Sequence, residues 1–188
     1  MAEVTSPKRY CLTAFITDAL TVSRLVVAAA ILWLGWTVGR AAFPQAIVLV
    51  TLAWMTDAAD GLIARHSACK TCLGPVDFPI DAALTWATLL FIVLAGFIAP
   101  AAAALYTALA ALTALWFRRK AVIVLFMRGV DLTALFFALR YELLYTLPLL
   151  AWLLILAWLH RERLRTRVPQ WLRELADLFS HPFRGRHE

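Results

Sequence analysis

From Ala82 to Phe117 the chain runs for 36 residues without one charged side chain. A single helix of that length would reach about 54 Å at ~1.5 Å per residue, well past the ~30 Å hydrocarbon core of a bilayer. The run therefore reads as two membrane-spanning helices, and Gly96 and Pro100 near its middle supply the turn. Leu25–Gly39, Ala41–Thr56 and Leu143–Leu159 are also free of charge, and Ala121–Leu139 is apolar apart from Arg128 and Asp131. Six helices follow, at about 20–39, 43–65, 77–98, 101–118, 120–139 and 142–160. No stretch alternates apolar and polar residues, so no strand is expected. The predicted fold class is all-α, a polytopic membrane protein of six transmembrane helices.

Composition supports this reading and excludes others. With 63% hydrophobic and 16% charged residues over 188 positions, the chain holds more apolar surface than one soluble core can hide. A soluble globular enzyme and a disordered chain are excluded on that ground. Cys11, Cys69 and Cys72 are too few and too uneven for a disulfide scaffold. The polar first dozen residues argue against a secretory signal peptide. A net charge of +6 sits on too little soluble mass for a nucleic-acid surface, so no nucleic-acid partner is expected.

The distribution of charge sets an orientation. Under six spans one side collects Lys8, Arg9, Arg65, Lys70, Arg118, Arg119, Lys120 and seven arginines between Arg161 and Arg186, fourteen of the eighteen basic residues. The other side holds only Arg40 and Arg140. The positive-inside rule then places both termini in the cytoplasm of a cell inner membrane. Residues 1–19 read as a cytoplasmic or interfacial segment, with Lys8–Ala19 as a surface helix leading into the first span, and 20–160 as the transmembrane domain. Residues 161–188 read as a basic amphipathic tail, in which Val168, Trp171, Leu172, Leu175 and Leu178 or Phe179 share one face. Most tryptophans, such as Trp33, Trp36, Trp116 and Trp158, fall at span ends as interface anchors do.

Against this background, four carboxylates are out of place. Asp57 and Asp60 lie at i, i+3 near the end of the second span, and Asp77 and Asp81 lie at i, i+4 where the third begins. Each pair shares a helix face, and the short basic loop between them brings the two helix ends together. Four converging carboxylates need protons, basic partners or cations. A structural salt-bridge cluster with Arg65 or Lys70 is one solution. A divalent ion is the other, and oxygen ligands in this number suit Mg²⁺, Mn²⁺ or Ca²⁺ over zinc. Gly61 and Ala64 follow the acidic pair by one turn, leaving room either for a ligand or for close helix packing.

The pattern Asp57-x2-Asp60-Gly61-x2-Ala64-Arg65-x8-Gly74-x2-Asp77-x3-Asp81 resembles the signature of the CDP-alcohol phosphotransferase family, also called CDP-alcohol phosphatidyltransferases. Leu20-Thr21-x2-Arg24 is similar to that family's N-terminal motif. Gly74 stands one residue closer to the third aspartate than is usual in the family, while the Asp77–Asp81 register is kept. Ala82 stands where many phosphatidylglycerophosphate and cardiolipin synthases carry lysine, which points away from those subgroups.

The resemblance implies transfer of a phosphatidyl group from a CDP-linked lipid such as CDP-diacylglycerol to an alcohol, with release of CMP. By carry-over, Asp57, Asp60, Asp77 and Asp81 would hold Mg²⁺ or Mn²⁺, as a two-metal site, and Asp81 would be the general base. Gly61 and Ala64 would make space for the cytidine nucleotide, Arg65 would add positive potential or structure beside it, and Gly74 belongs to the loop of the motif. Relatives are often dimers, so a homodimer is a candidate assembly.

The acceptor is read from basic residues. Arg118 and Arg119, with Lys120, could hold a phosphorylated alcohol such as glycerol 3-phosphate or inositol phosphate, or could be ordinary positive-inside anchors. Arg128 could serve the same phosphate or pair with Asp131 at i, i+3. Arg24 could contact phosphate in the cavity or snorkel to the interface. His66-x2-Cys69-x2-Cys72 has ligand-like spacing but lacks the fourth ligand of a closed zinc site. Two other functions compete: a small cation transporter using the four aspartates, and a non-catalytic member of the same family.

Overall fold

The computed structural model of the protein describes residues 12–66, 73–118, 120–159 and 161. All regular structure among them is helical. Six helices follow in order: α1 (Leu12–Thr37), α2 (Phe43–His66), α3 (Asp77–Leu94), α4 (Pro100–Phe117), α5 (Lys120–Tyr141) and α6 (Leu143–Leu159). The first five are long and apolar enough to cross a membrane, and α6 is a shorter apolar helix. At ~1.5 Å per residue the 17 residues of α6 reach about 26 Å, slightly less than the hydrocarbon core. The chain is a multi-pass membrane protein.

The long charge-free run divides where its breakers predict. Gly96 takes φ +75°, its N–H donates to the Val93 carbonyl (2.9 Å), and Phe97 N–H donates to the Ile92 carbonyl (3.0 Å). This pair of bonds closes α3 in a Schellman motif, which needs a left-handed residue and so favours glycine. Pro100 then opens α4 at a position where its missing N–H has no partner to lose. Gly39, at φ +66°, follows the end of α1 and leads through a 3₁₀ turn, Gly39–Ala42, into α2.

The expected surface helix leads into the first span without a break, since α1 is continuous from Leu12. No glycine or proline interrupts positions 12–34, and Thr17 is buried on the inner face of the helix. Thr17, Thr21, Arg24, Ala28, Ile31 and Gly35 form one buried stripe at steps of three and four. This stripe packs against both α2 and α3. A methyl group on Gly35 would sit 3.1 Å from Phe91 Cδ2, so the close approach of α1 and α3 depends on that glycine. The basic tail beyond Arg161 and residues 67–72 lie outside the described residues.

By internal contacts the chain forms two compact units, Met1–Phe97 with α1–α3 and Ile98–Glu188 with α4–α6. In the second unit the Tyr106 hydroxyl donates to the Phe126 carbonyl at 2.7 Å. It also fills the space beside Gly129, where any side chain would collide with it. Gly129→Ala is therefore expected to cost about 1 kcal/mol or more through loss of that bond. Melting curves would show a drop of a few degrees, and Tyr106→Phe in the same background should recover part of it. An unchanged melting temperature for Gly129→Ala contradicts the tight α4–α5 contact.

Candidate functional site

Five charged residues of the first unit gather at one place. Asp57 and Asp60 project from α2, Asp77 and Asp81 from the first turns of α3, and Arg24 from the buried face of α1. Arg24 lies between the two acidic pairs and bonds all four carboxylates. Its Nη1 donates to Asp57 Oδ1 at 3.0 Å and to Asp81 Oδ1. Its Nη2 donates to Asp60 Oδ2 and Asp77 Oδ1, each at 2.5 Å. The Thr21 hydroxyl lies 3.3 Å from Asp77 Oδ1 and 3.3 Å from Arg24 Nη2, one helical turn before the arginine.

The arginine side chain is 0% exposed, so it does not snorkel to the interface. The four acids differ in access. Asp60 is buried, whereas Asp57, Asp77 and Asp81 are 54%, 41% and 32% exposed and form an open rim.

Local structure explains how Asp77 and Asp81 reach this point despite the shortened spacing after Gly74. Gly74–Val76 forms a tight 3₁₀ turn that runs directly into α3, so Asp77 is the first residue of the helix. Val76 N–H donates to the Leu73 carbonyl at 2.9 Å. The Leu73 N–H in turn donates to Asp18 Oδ1 on α1, at 3.0 Å. Asp18 thus ties the start of the turn to the helix that carries Arg24. Loss of such a bond typically costs about 1 kcal/mol, enough to let the turn shift. Asp18→Ala is expected to lower turnover about tenfold. Asp18→Asn keeps an acceptor oxygen and should retain most of the activity. Equal losses in both variants contradict the tie.

The donor set fits a divalent ion. Asp57, Asp77 and Asp81 each offer a carboxylate oxygen within 4.8 Å of the others. Two oxygens on opposite sides of one Mg²⁺ stand about 4.2 Å apart, so small side-chain rotations would close such a site. The charge balance points the same way. Among the described residues, four carboxylates face one guanidinium, which leaves an excess of negative charge when all are ionised. Hard oxygen donors in excess at a membrane boundary suit Mg²⁺ or Mn²⁺.

The other sequence candidates are placed as follows. Gly61, Ala64 and Arg65 continue α2 as helix beyond Asp60, and the environment of their side chains lies outside the described residues. Gly74 opens the 3₁₀ turn. In the second unit Arg118 caps α4 in the left-handed conformation, with φ 49°, and is exposed. Arg119 lies outside the described residues. Arg128 pairs with Asp131 at 2.7 Å and its side chain remains 63% exposed. The ligand-like Cys69 and Cys72 lie outside the described residues.

Two residues of the site, Asp18 and Thr21, did not stand out as ligands or counter-charges. Their signal was present: Thr17, Thr21 and Arg24 repeat at four and three residues in an otherwise apolar helix, with Asp18 beside them. A polar stripe on a transmembrane helix marks the face that meets other polar groups.

Compared with known proteins, the chain matches the sequence profile of the CDP-alcohol phosphatidyltransferase family over residues 14–164. No curated protein and no solved structure matches it significantly. The matched segment contains α1–α6 almost whole and every residue of the carboxylate–arginine cluster.

Proposed function

The chain belongs to the CDP-alcohol phosphatidyltransferase family, and on that premise we propose that it transfers the phosphatidyl group of CDP-diacylglycerol to an alcohol and releases CMP. The single observation that carries this reading is the convergence of Asp57, Asp60, Asp77 and Asp81 on one point, with three of them open to solvent. These carboxylates are the residues that would hold Mg²⁺ or Mn²⁺, as a pair of ions. Bound there, the metal would neutralise charge on the diphosphate and its leaving group.

Asp81 is the general base. Its carboxylate takes the proton of the acceptor hydroxyl as that oxygen forms a bond to the phosphatidyl phosphorus. The bond from this phosphorus to the CMP oxygen breaks, and CMP leaves with the electron pair. Asp60, buried against Arg24, fixes the position of the cluster more than it meets substrate. By the family's motif, Gly61 and Ala64 would make space for the cytidine nucleotide and Arg65 would add positive potential beside it. Gly74 starts the turn that delivers Asp77.

The acceptor is an alcohol, and within the second unit Arg118, Arg119 and Arg128 are the candidates to bind a phosphorylated one such as glycerol 3-phosphate or inositol phosphate. Arg128 spends Nη1 on Asp131, and its exposed guanidinium edge can take a phosphate oxygen. The site opens to the cytoplasm, the side to which the positive-inside bias assigns the loop between α2 and α3. A six-helix catalytic domain over 20–160 carries the chemistry, and the segments 1–19 and 161–188 serve as membrane-surface elements. A transport function is less favoured, because Asp57 and Asp60 lie within the unbroken α2 and Asp77 and Asp81 at the start of α3, whereas permeation sites use helices interrupted near the bilayer midplane.

The test is a product assay. Purified protein in lipid receives CDP-diacylglycerol, Mn²⁺ and, in turn, glycerol 3-phosphate, inositol phosphate and unphosphorylated alcohols. CMP and a new phospholipid should appear in equal amounts, fastest with a phosphorylated acceptor. Absence of CMP with every acceptor overturns the transferase reading. CMP formed only with unphosphorylated alcohols overturns the arginine assignment alone.

A further inference from the structure

Arg24 presents an arrangement that substrate binding does not explain. A guanidinium has four terminal N–H groups, and here the two terminal nitrogens meet four carboxylates, one from each aspartate. The side chain is fully buried, so water contributes little to its solvation. Its Nε has no hydrogen-bond partner among the described residues, so binding is concentrated at the end that faces the acids. An arginine held in this way is a counter-ion to the whole cluster. Three of the four carboxylates that it engages, those of Asp57, Asp77 and Asp81, are also the three whose oxygens come within 4.8 Å of one another and could share a divalent ion.

We propose that Arg24 is the resident cation of the metal-free site: it holds the four carboxylates in register and gives up their oxygens when divalent ions bind. Two consequences follow from electrostatics. Without metal, Arg24 is the positive charge that, among the described residues, ion-pairs with all four carboxylates. With metal, Arg24 is a like charge a few ångströms from the incoming ion, and it weakens binding. A purely structural arginine would show the first effect and not the second.

This inference rests on the metal-binding reading of the cluster, and the experiment separates the two. Wild type, Arg24→Lys and Arg24→Gln are purified as full chains in Mn²⁺ and exchanged into lipid nanodiscs. Melting temperature is then measured in chelator and in saturating Mn²⁺, and Mn²⁺ affinity by electron paramagnetic resonance. In chelator Arg24→Gln should melt well below wild type, and in Mn²⁺ most of that gap should close.

Its Mn²⁺ affinity should rise about tenfold or more, because the competing charge is gone. Arg24→Lys keeps the charge but offers one ammonium for four acceptors, and should fall between the two. If Arg24→Gln unfolds in chelator, the comparison in Mn²⁺ and the affinity still decide. A gap of equal size in both conditions, with unchanged or weaker Mn²⁺ binding, overturns the inference and leaves the metal site standing. A wild type that binds no Mn²⁺ overturns both.

Discussion

The Asp81→Asn enzyme is expected to release CMP at least about a thousandfold more slowly than wild type while keeping its fold. Asn has the same shape as Asp, so packing at the start of α3 is preserved. Its side-chain oxygen can still accept from Arg24 Nη1, the bond that Asp81 accepts now. What the substitution removes is negative charge and a basic oxygen. The first loss weakens the hold on a metal ion. The second leaves the acceptor hydroxyl without a group to take its proton, and general-base catalysis alone is commonly worth about 10²–10⁴ in rate.

Thermal stability gives the control. Four carboxylates repel one another around a single arginine, so neutralising one of them should leave the melting temperature unchanged or slightly higher. Asp60→Asn, at the buried position, should cost more stability than Asp81→Asn, because it weakens the most enclosed contact of Arg24. A turnover within tenfold of wild type for Asp81→Asn would remove this residue from the mechanism.

The second large effect is expected from removal of divalent ions. With chelator present, CMP release should fall to the uncatalysed level and return on addition of Mg²⁺ or Mn²⁺. The cause is the excess of negative charge left where, among the described residues, one guanidinium faces four carboxylates. Carboxylates in excess repel a diphosphate that also carries negative charge, and bound cations reverse that. The same imbalance links metal to stability. At a free concentration about a hundredfold above Kd, an ion stabilises the folded protein by about 2.7 kcal/mol. For a chain of this size that corresponds to roughly 5–10 °C. Chelated protein that keeps both its activity and its melting temperature contradicts the metal-dependent reading.

Much of this architecture is legible in the sequence, for identifiable reasons. The 36-residue charge-free run exceeds one span, and its breakers do what their backbone chemistry requires: Gly96 supplies the left-handed residue and Pro100 starts the next helix. The aspartate spacings place each pair on one helix face, and both pairs do converge. The start of α1 was less legible. Thr17 and Asp18 look like residues that precede the first span and Thr21 and Arg24 like its polar start, because sequence does not show which polar groups they will meet.

The role of Arg24 was hidden for the same reason. Its two sequence readings, phosphate contact in the cavity and snorkelling, do not pair it with the aspartates. Instead it lies in the middle of the aspartates, because α1 packs against α2 and α3 together. By contrast, the Arg128–Asp131 pair is an i, i+3 contact within one helix, and local spacing was enough to suggest it. Contacts within a helix can be read from spacing, whereas contacts between helices depend on which faces meet.

The most direct test of the central claim, that these carboxylates form a divalent-ion site for phosphatidyl transfer, is anomalous diffraction from crystals grown with Mn²⁺ and CDP-diacylglycerol. The expected result is a manganese peak about 2.0–2.6 Å from carboxylate oxygens of Asp57, Asp77 and Asp81, with the diphosphate of the lipid beside it. Manganese bound elsewhere, or CDP-diacylglycerol bound with no ion at these aspartates, would contradict it.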